Sequence, residues 1–112
     1  MDISFATRKL KKQLETEQQL QKAFGQLAEP IKRRLATLAV VSSLADVPSG
    51  PPDRCHLLTG ARAGQFAVML SGNWRLIFVP DHDPVQQRVD GGIDVAAVTA
   101  IEIIDVADYH GS

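Results

Sequence analysis

Residues 48–52 hold Pro48, Gly50, Pro51 and Pro52, and neither a helix nor a central strand runs through such a segment. Proline removes a backbone donor and fixes φ, while glycine pays a high entropy cost in regular structure. The hydrophobic period changes across this break. Before it, Ile31, Leu35, Leu38, Val41 and Ala45 recur on one helical stripe, with Pro30 tolerable in the first turn and an end near Asp46. After it, Phe66, Val68 and Leu70 alternate with other residues, and Trp74, Leu76 and Phe78 alternate again beyond Ser71, Gly72 and Asn73. Alternation on both sides of a glycine-containing loop predicts a β-hairpin. The break therefore separates a helical half from a strand half.

The rest of each half follows from the same two periods. Ile3 and Phe5 alternate with polar residues over residues 2–5, which predicts a short half-buried strand. From Arg8 the spacing of Leu10 and Leu14 is helical, and Thr16 followed by Gln19 resembles a capping box before Leu20, Ala23, Phe24 and Leu27. Gly25 ends or loosens that helix. Residues 55–58 suit a strand and residues 60–64 a turn. Residues 81–94 are polar and glycine-rich, a long loop, and residues 98–106 form a β-branched run fit for a last strand. The expected fold class is α+β: an N-terminal strand, two helices, then an antiparallel sheet of about three further strands. The helices cover one sheet face and leave the other free. By strand parity Arg75 points away from the face carrying Trp74, Leu76 and Phe78, which is expected to meet the helices.

A chain of 112 residues fits one domain spanning 1–112, and 45% hydrophobic with 22% charged residues is an ordinary globular balance. Cys55 is the only cysteine, so an internal disulfide is excluded and a structural zinc site lacks thiolates; a reducing compartment is the natural expectation. No apolar run approaches the roughly 18 residues of a membrane span, and Asp2 and Arg8 stand where a signal peptide needs apolar residues. A soluble cytoplasmic protein without a membrane partner is expected. The formal net charge of −1 hides an asymmetry: residues 1–80 sum to +5, residues 81–112 to −6. No acid occurs between Arg54 and Pro80, while Arg54, Arg62, Arg75 and His56 do. Such a segment can attract phosphate, although a sheet region that simply needs few acids has the same composition.

Histidine and arginine are the residue types to weigh for chemistry. His56 lies in a strand beside Cys55, where a structural hydrogen bond and an active role are equally open. His82, between Asp81 and Asp83, has no ligand cluster around it and reads as a loop residue. His110 lies near the chain end, where a frayed residue is the commoner case. Arg75 is the least bland, because an arginine inside a hydrophobic strand needs a paired acid or an anionic ligand. Its structural alternative is a salt bridge to Asp105 or Glu102. No metal site and no phosphate-binding glycine loop is expected.

Three stretches carry a resemblance. His56-Leu57-Leu58-Thr59-Gly60-Ala61-Arg62-Ala63-Gly64-Gln65-Phe66, then Gly72-Asn73-Trp74-Arg75-Leu76-Ile77-Phe78, and then Asp108-Tyr109-His110 resemble HigB-type killer proteins of the RelE/ParE toxin superfamily. The opening Met1-Asp2-Ile3-Ser4-Phe5 resembles the first strand of these proteins, so the likeness covers nearly the whole chain. It implies the toxin of a type II toxin–antitoxin pair, a ribosome-dependent mRNA endonuclease that needs no cofactor. It further implies a helix-turn-helix, HigA-like antitoxin and contact with operator DNA only through that antitoxin. Carried over by residue, Arg75 would stabilise the scissile phosphate, His110 would serve as acid and base, Asp108 and Tyr109 would orient His110 or the RNA, and His56 would be a second active-site group. Thr59 stands where many relatives have a lysine, so a phosphate contact or proton-transfer partner is missing unless Arg62 replaces it; Thr59 and Arg54 are the other candidate phosphate-binding residues. Two alternatives stay open: a noncatalytic toxin that poisons gyrase by binding, and a degenerate domain that only holds its antitoxin.

Overall fold

The computed structural model describes residues 1–109. Strand β1 (Asp2–Phe5) leads into helices α1 (Arg8–Glu15), α2 (Glu17–Phe24) and α3 (Ala28–Val40). Beyond the proline-rich segment come β2 (His56–Leu57), β3 (Phe66–Ser71), β4 (Trp74–Pro80) and β5 (Ala100–Asp108). The five strands form one sheet in the order β1-β5-β4-β3-β2. The strands after the helices pair antiparallel, as their alternation implies, whereas β1 joins the sheet parallel to β5, with Ile3 beside Ile101 and Phe5 beside Ile103. The fold is thus α+β with a mixed sheet. No helix among the described residues is long and apolar enough to cross a membrane.

Local chemistry sets the helix limits. Thr16 adopts an extended conformation and its Oγ1 accepts from the Gln19 amide at 3.2 Å, so it ends α1 and caps α2 in one step. The first expected helix is therefore two short ones. Gly25, at φ +55°, closes α2 by donating to the Gln21 carbonyl. Helix α3 stops at Val40, short of Asp46, because Val41 turns extended and residues 44–46 form a separate 3₁₀ turn that buries Leu44. The Met1 ammonium donates to the carbonyls of Leu38, Ala39 and Val41 at 3.2, 2.9 and 2.6 Å. A cation thus sits where the negative end of the helix dipole emerges.

The main core lies between the helices and one sheet face. Leu14, Leu20, Ile31 and Leu38 meet Phe66, Val68, Leu70, Leu76, Phe78, Ile101 and Ile103, and the rings of Phe66 and Phe78 stack with centroids 5.9 Å apart. Each such side chain contributes about 1.5 to 3 kcal/mol on burial. Trp74 has the parity of Leu76 and Phe78 but stands at the start of β4 and remains 39% exposed.

A bulge decides what reaches the second face. Ile77 pairs with Asp105 but Phe78 pairs with Ile103, leaving Ile104 as an extra residue on β5. Before the bulge Ile101 and Ile103 face the core; after it Val106 does, and Asp105 shares the face of its partner Ile77. That second face is only partly free. Residues 58–65 fold over it, burying Leu58 against Ala67 and Ile77, with Ile104, Ala107 and Tyr109 packed alongside.

Candidate active site on the second sheet face

The site begins with the strand register. Met69 of β3 lies opposite Arg75 of β4, and Arg75 lies opposite Ala107 of β5, so this row projects on the face away from the helices. Arg75 stands where parity placed it. Its Nη1 donates to the carbonyls of Gly72 at 2.7 Å and Trp74 at 3.0 Å, which folds the guanidinium against the hairpin turn. Among the described residues Arg75 forms no ion pair, and Asp105, its candidate structural partner, is taken by Arg62 instead.

The neighbouring wall comes from the proline-rich segment. Arg54 donates its amide to Gly50 and Cys55 donates to Pro48, at 2.9 and 3.0 Å, so the segment closes on itself just before β2. Arg54 takes φ +46°, the left-handed region that non-glycine residues seldom occupy. Its carbonyl lies 2.9 Å from His56 Nδ1. A carbonyl only accepts, so Nδ1 carries the proton, and Nε2 is the basic nitrogen of the neutral ring. Ser49, Pro51, Arg54, His56, Met69 and Arg75 together line a cleft of about 450 Å³. Two arginines and a histidine converge there with no carboxylate among the lining residues.

A buried ion pair that sequence reasoning missed holds this wall. Strand β2 pairs with β3 only at Ala67 and Phe66, so the outer edge of β3 is uncovered at Met69. Asp53 and Arg34 complete it. The Met69 amide donates to the Asp53 carbonyl at 2.7 Å, and Arg34 Nε donates to the Met69 carbonyl at 2.8 Å. Arg34 Nε also lies 3.5 Å from the Asp53 carboxylate, both side chains being about nine-tenths buried. The available signal was a charged residue on the core stripe of α3, between Ile31 and Leu38. Burial together with the Asp53 carboxylate pushes the adjacent Cys55 thiol up to about 11.

The other described candidates, Arg62, Tyr109, Thr59 and Asp108, are not among the residues that line the cleft. Arg62 donates to Gln65 Oε1 and to Asp105 Oδ2, both at 2.9 Å, and its Cζ lies 6.0 Å from the centre of the Tyr109 ring. Tyr109 continues β5 by donating its amide to the Asn73 carbonyl at 2.9 Å. Thr59 is exposed and precedes the 3₁₀ turn of residues 60–62. Asp108 is exposed at the end of β5, opposite Trp74. His110 lies outside the described residues. His82 serves the sheet instead, its Nε2 accepting from the amides of Thr99 and Ala100 at 3.1 and 3.3 Å, where β5 begins. Among the described residues no group of three or more His, Cys, Asp or Glu is placed to hold a metal ion.

No protein-family model matches the chain, and no curated protein matches it in sequence. Among solved structures it is similar to a YoeB/ParE toxin from Agrobacterium tumefaciens, with a TM-score of 0.56 and 11% identity, over 98% of this chain and 100% of that one. At that identity the likeness is one of fold: the chain is built as that toxin is, from its first strand to its last.

Proposed function

We propose that this chain is the toxin of a type II toxin–antitoxin pair and that it cuts mRNA on the ribosome. The observation that carries the proposal is the cleft in which Arg54, His56 and Arg75 meet without a carboxylate, on a fold shared with a YoeB/ParE toxin. RNA cleavage by its own 2′-hydroxyl needs a base for that proton, an acid for the 5′-oxygen, and cations for the charged phosphorane. In the proposed assignment Arg75 and Arg54 hold the phosphate, and the Nε2 of His56 handles a proton. Asp108 and Tyr109 orient the RNA or the end of the chain, where His110 supplies the second acid/base group. Histidine and arginine side chains supply the base, the acid and the cations of this scheme. Arg54 also provides the cation that Thr59, standing in the place of the family's usual lysine, does not. The partner proposed is a HigA-like helix-turn-helix antitoxin, through which alone the toxin meets operator DNA.

One observation favours a second proposal. Arg62, the other candidate substitute for the lysine, is already paired with Asp105, which leaves fewer cations for catalysis and suits a toxin that acts by binding. Expression of the chain without an antitoxin separates the two. Growth arrest with cleaved mRNA and intact chromosomes supports the endonuclease; DNA breaks with intact mRNA support gyrase poisoning; unimpaired growth with soluble protein supports a degenerate domain.

A further inference from the structure

Among the described residues, the Arg62 guanidinium ties residues 58–65 to β5. Leu58 is buried beneath them, and its amide donates to the Gln65 carbonyl at 2.8 Å, which closes the loop at its base. At the opposite edge the Arg62 guanidinium bridges Gln65 and Asp105, at 2.9 Å each, and its Cζ stands 6.0 Å from the centre of the Tyr109 ring. That distance is at the outer range of a cation–π contact. Asp105 reaches this face only because the bulge at Ile104 turns it outward. The loop, β5 and the residue that follows the strand therefore meet at Arg62.

We propose that Arg62 is a positioning residue: through its ion pair with Asp105 it fixes the Tyr109 ring on the sheet face that carries Arg75, and it does not itself bind phosphate. The proposal rests on the endonuclease assignment for its link to cleavage. The bonds of Arg62 to Gln65 and Asp105 leave three of the five N–H donors unused, but the guanidinium charge is already matched by the Asp105 carboxylate, so a phosphate would have to share it with a neighbour of its own sign. As a clasp Arg62 needs no rearrangement. The two roles make opposite forecasts for Asp105. If Arg62 binds phosphate, Asp105 competes with the RNA, and Asp105→Asn releases the guanidinium and maintains or raises cleavage. If Arg62 positions Tyr109, Asp105→Asn undoes the clasp and lowers cleavage as Arg62→Gln does.

The test uses the full chain. Tyr109 is its only tyrosine, so biosynthetic 3-fluorotyrosine gives one fluorine resonance that reports this ring whether or not RNA is cut. In Arg62→Gln and in Asp105→Asn the resonance moves toward its position in the urea-unfolded chain, and Arg62→Lys returns it part of the way. On purified ribosomes programmed with mRNA, both variants cut on the order of tenfold more slowly, with Arg62→Lys intermediate. Unchanged or faster cleavage by Asp105→Asn beside slow cleavage by Arg62→Gln overturns the proposal, as does a fluorine resonance that neither variant moves. If the wild-type chain cuts no mRNA, the endonuclease assignment has failed separately, and the fluorine resonance alone decides whether the clasp exists.

Discussion

Replacing Arg34 by Met tests what holds the cleft wall. Methionine keeps most of the apolar stem of Arg34 in place and removes only the guanidinium. The Asp53 carboxylate then remains buried without its counter-charge, and the Met69 carbonyl loses the donor at 2.8 Å. Breaking one side of a buried pair costs about 3 to 5 kcal/mol. Against a total stability of about 5 to 15 kcal/mol, that removes a fifth or more. At roughly 4 °C per kcal/mol for a domain of this size, the melting temperature falls by about 12 to 20 °C. Urea titration followed by far-ultraviolet circular dichroism measures the loss. Adding Asp53→Asn removes the orphaned charge, and the double variant should recover about half of the lost stability, the remainder reflecting the Met69 hydrogen bond at about 1 to 2 kcal/mol. A loss below about 1 kcal/mol in Arg34→Met, or a double variant no more stable than the single one, refutes the account.

Arg75→Ala removes a proposed transition-state contact worth about 3 kcal/mol, so cleavage on programmed ribosomes should slow about a hundredfold while the melting curve barely moves; an unfolded variant or an unchanged rate contradicts the assignment. His110→Ala should reduce cleavage as sharply, and equal cleavage would transfer the acid/base role to His56 or to the ribosome. Cys55 supplies a pH test. Its folded thiol holds its proton to about 11, against an ordinary value of 9.0. Below pH 9 both states are protonated, and between 9 and 11 only the unfolded chain ionises. The Cys55 contribution to stability should therefore fall across that window by about 2 to 3 kcal/mol, a difference between the wild-type chain and Cys55→Ala measured by denaturation at fixed pH values. His82→Ala leaves the Thr99 and Ala100 amides without their acceptor and should cost about 1 kcal/mol, read by the same titration.

Local features of this fold were plain in the sequence because each is written in a short window. The hairpin of residues 66–80, the side on which Arg75 stands, and the cap at Thr16 follow from period, parity and one side-chain hydrogen bond. What the windows lack is pairing at a distance. Nothing near residues 2–5 says that they lie parallel to residues 100–103. The Met1 ammonium meets the carbonyls of Leu38, Ala39 and Val41, where α3 ends before its apolar stripe does. In the cleft, Arg75 and His56 were legible as residue types in strands, and Arg54 as part of an acid-free segment. Their convergence depends on Arg34 and Asp53, which lie on opposite sides of the break between the helical and strand halves. Arg62 shows the converse: its charge suggested a phosphate ligand, but its partner Asp105 is brought to it by an irregularity that alternation does not encode.

That irregularity, the one extra residue at Ile104, divides β5 into two lengths under separate constraints. The first, with Ile101 and Ile103, answers to the volume of the helical core, where a single methylene is felt. The second, from Asp105 to Tyr109, puts alternate residues on a face the helices never touch. Changes of side chain at those positions bear on Leu58, Ala67 and Ile77 rather than on the helical core, so the two ends of the strand vary under different packing demands while the first preserves the architecture. A scaffold partitioned in this way can keep its shape at 11% identity to a solved toxin while the end proposed to meet RNA is rewritten.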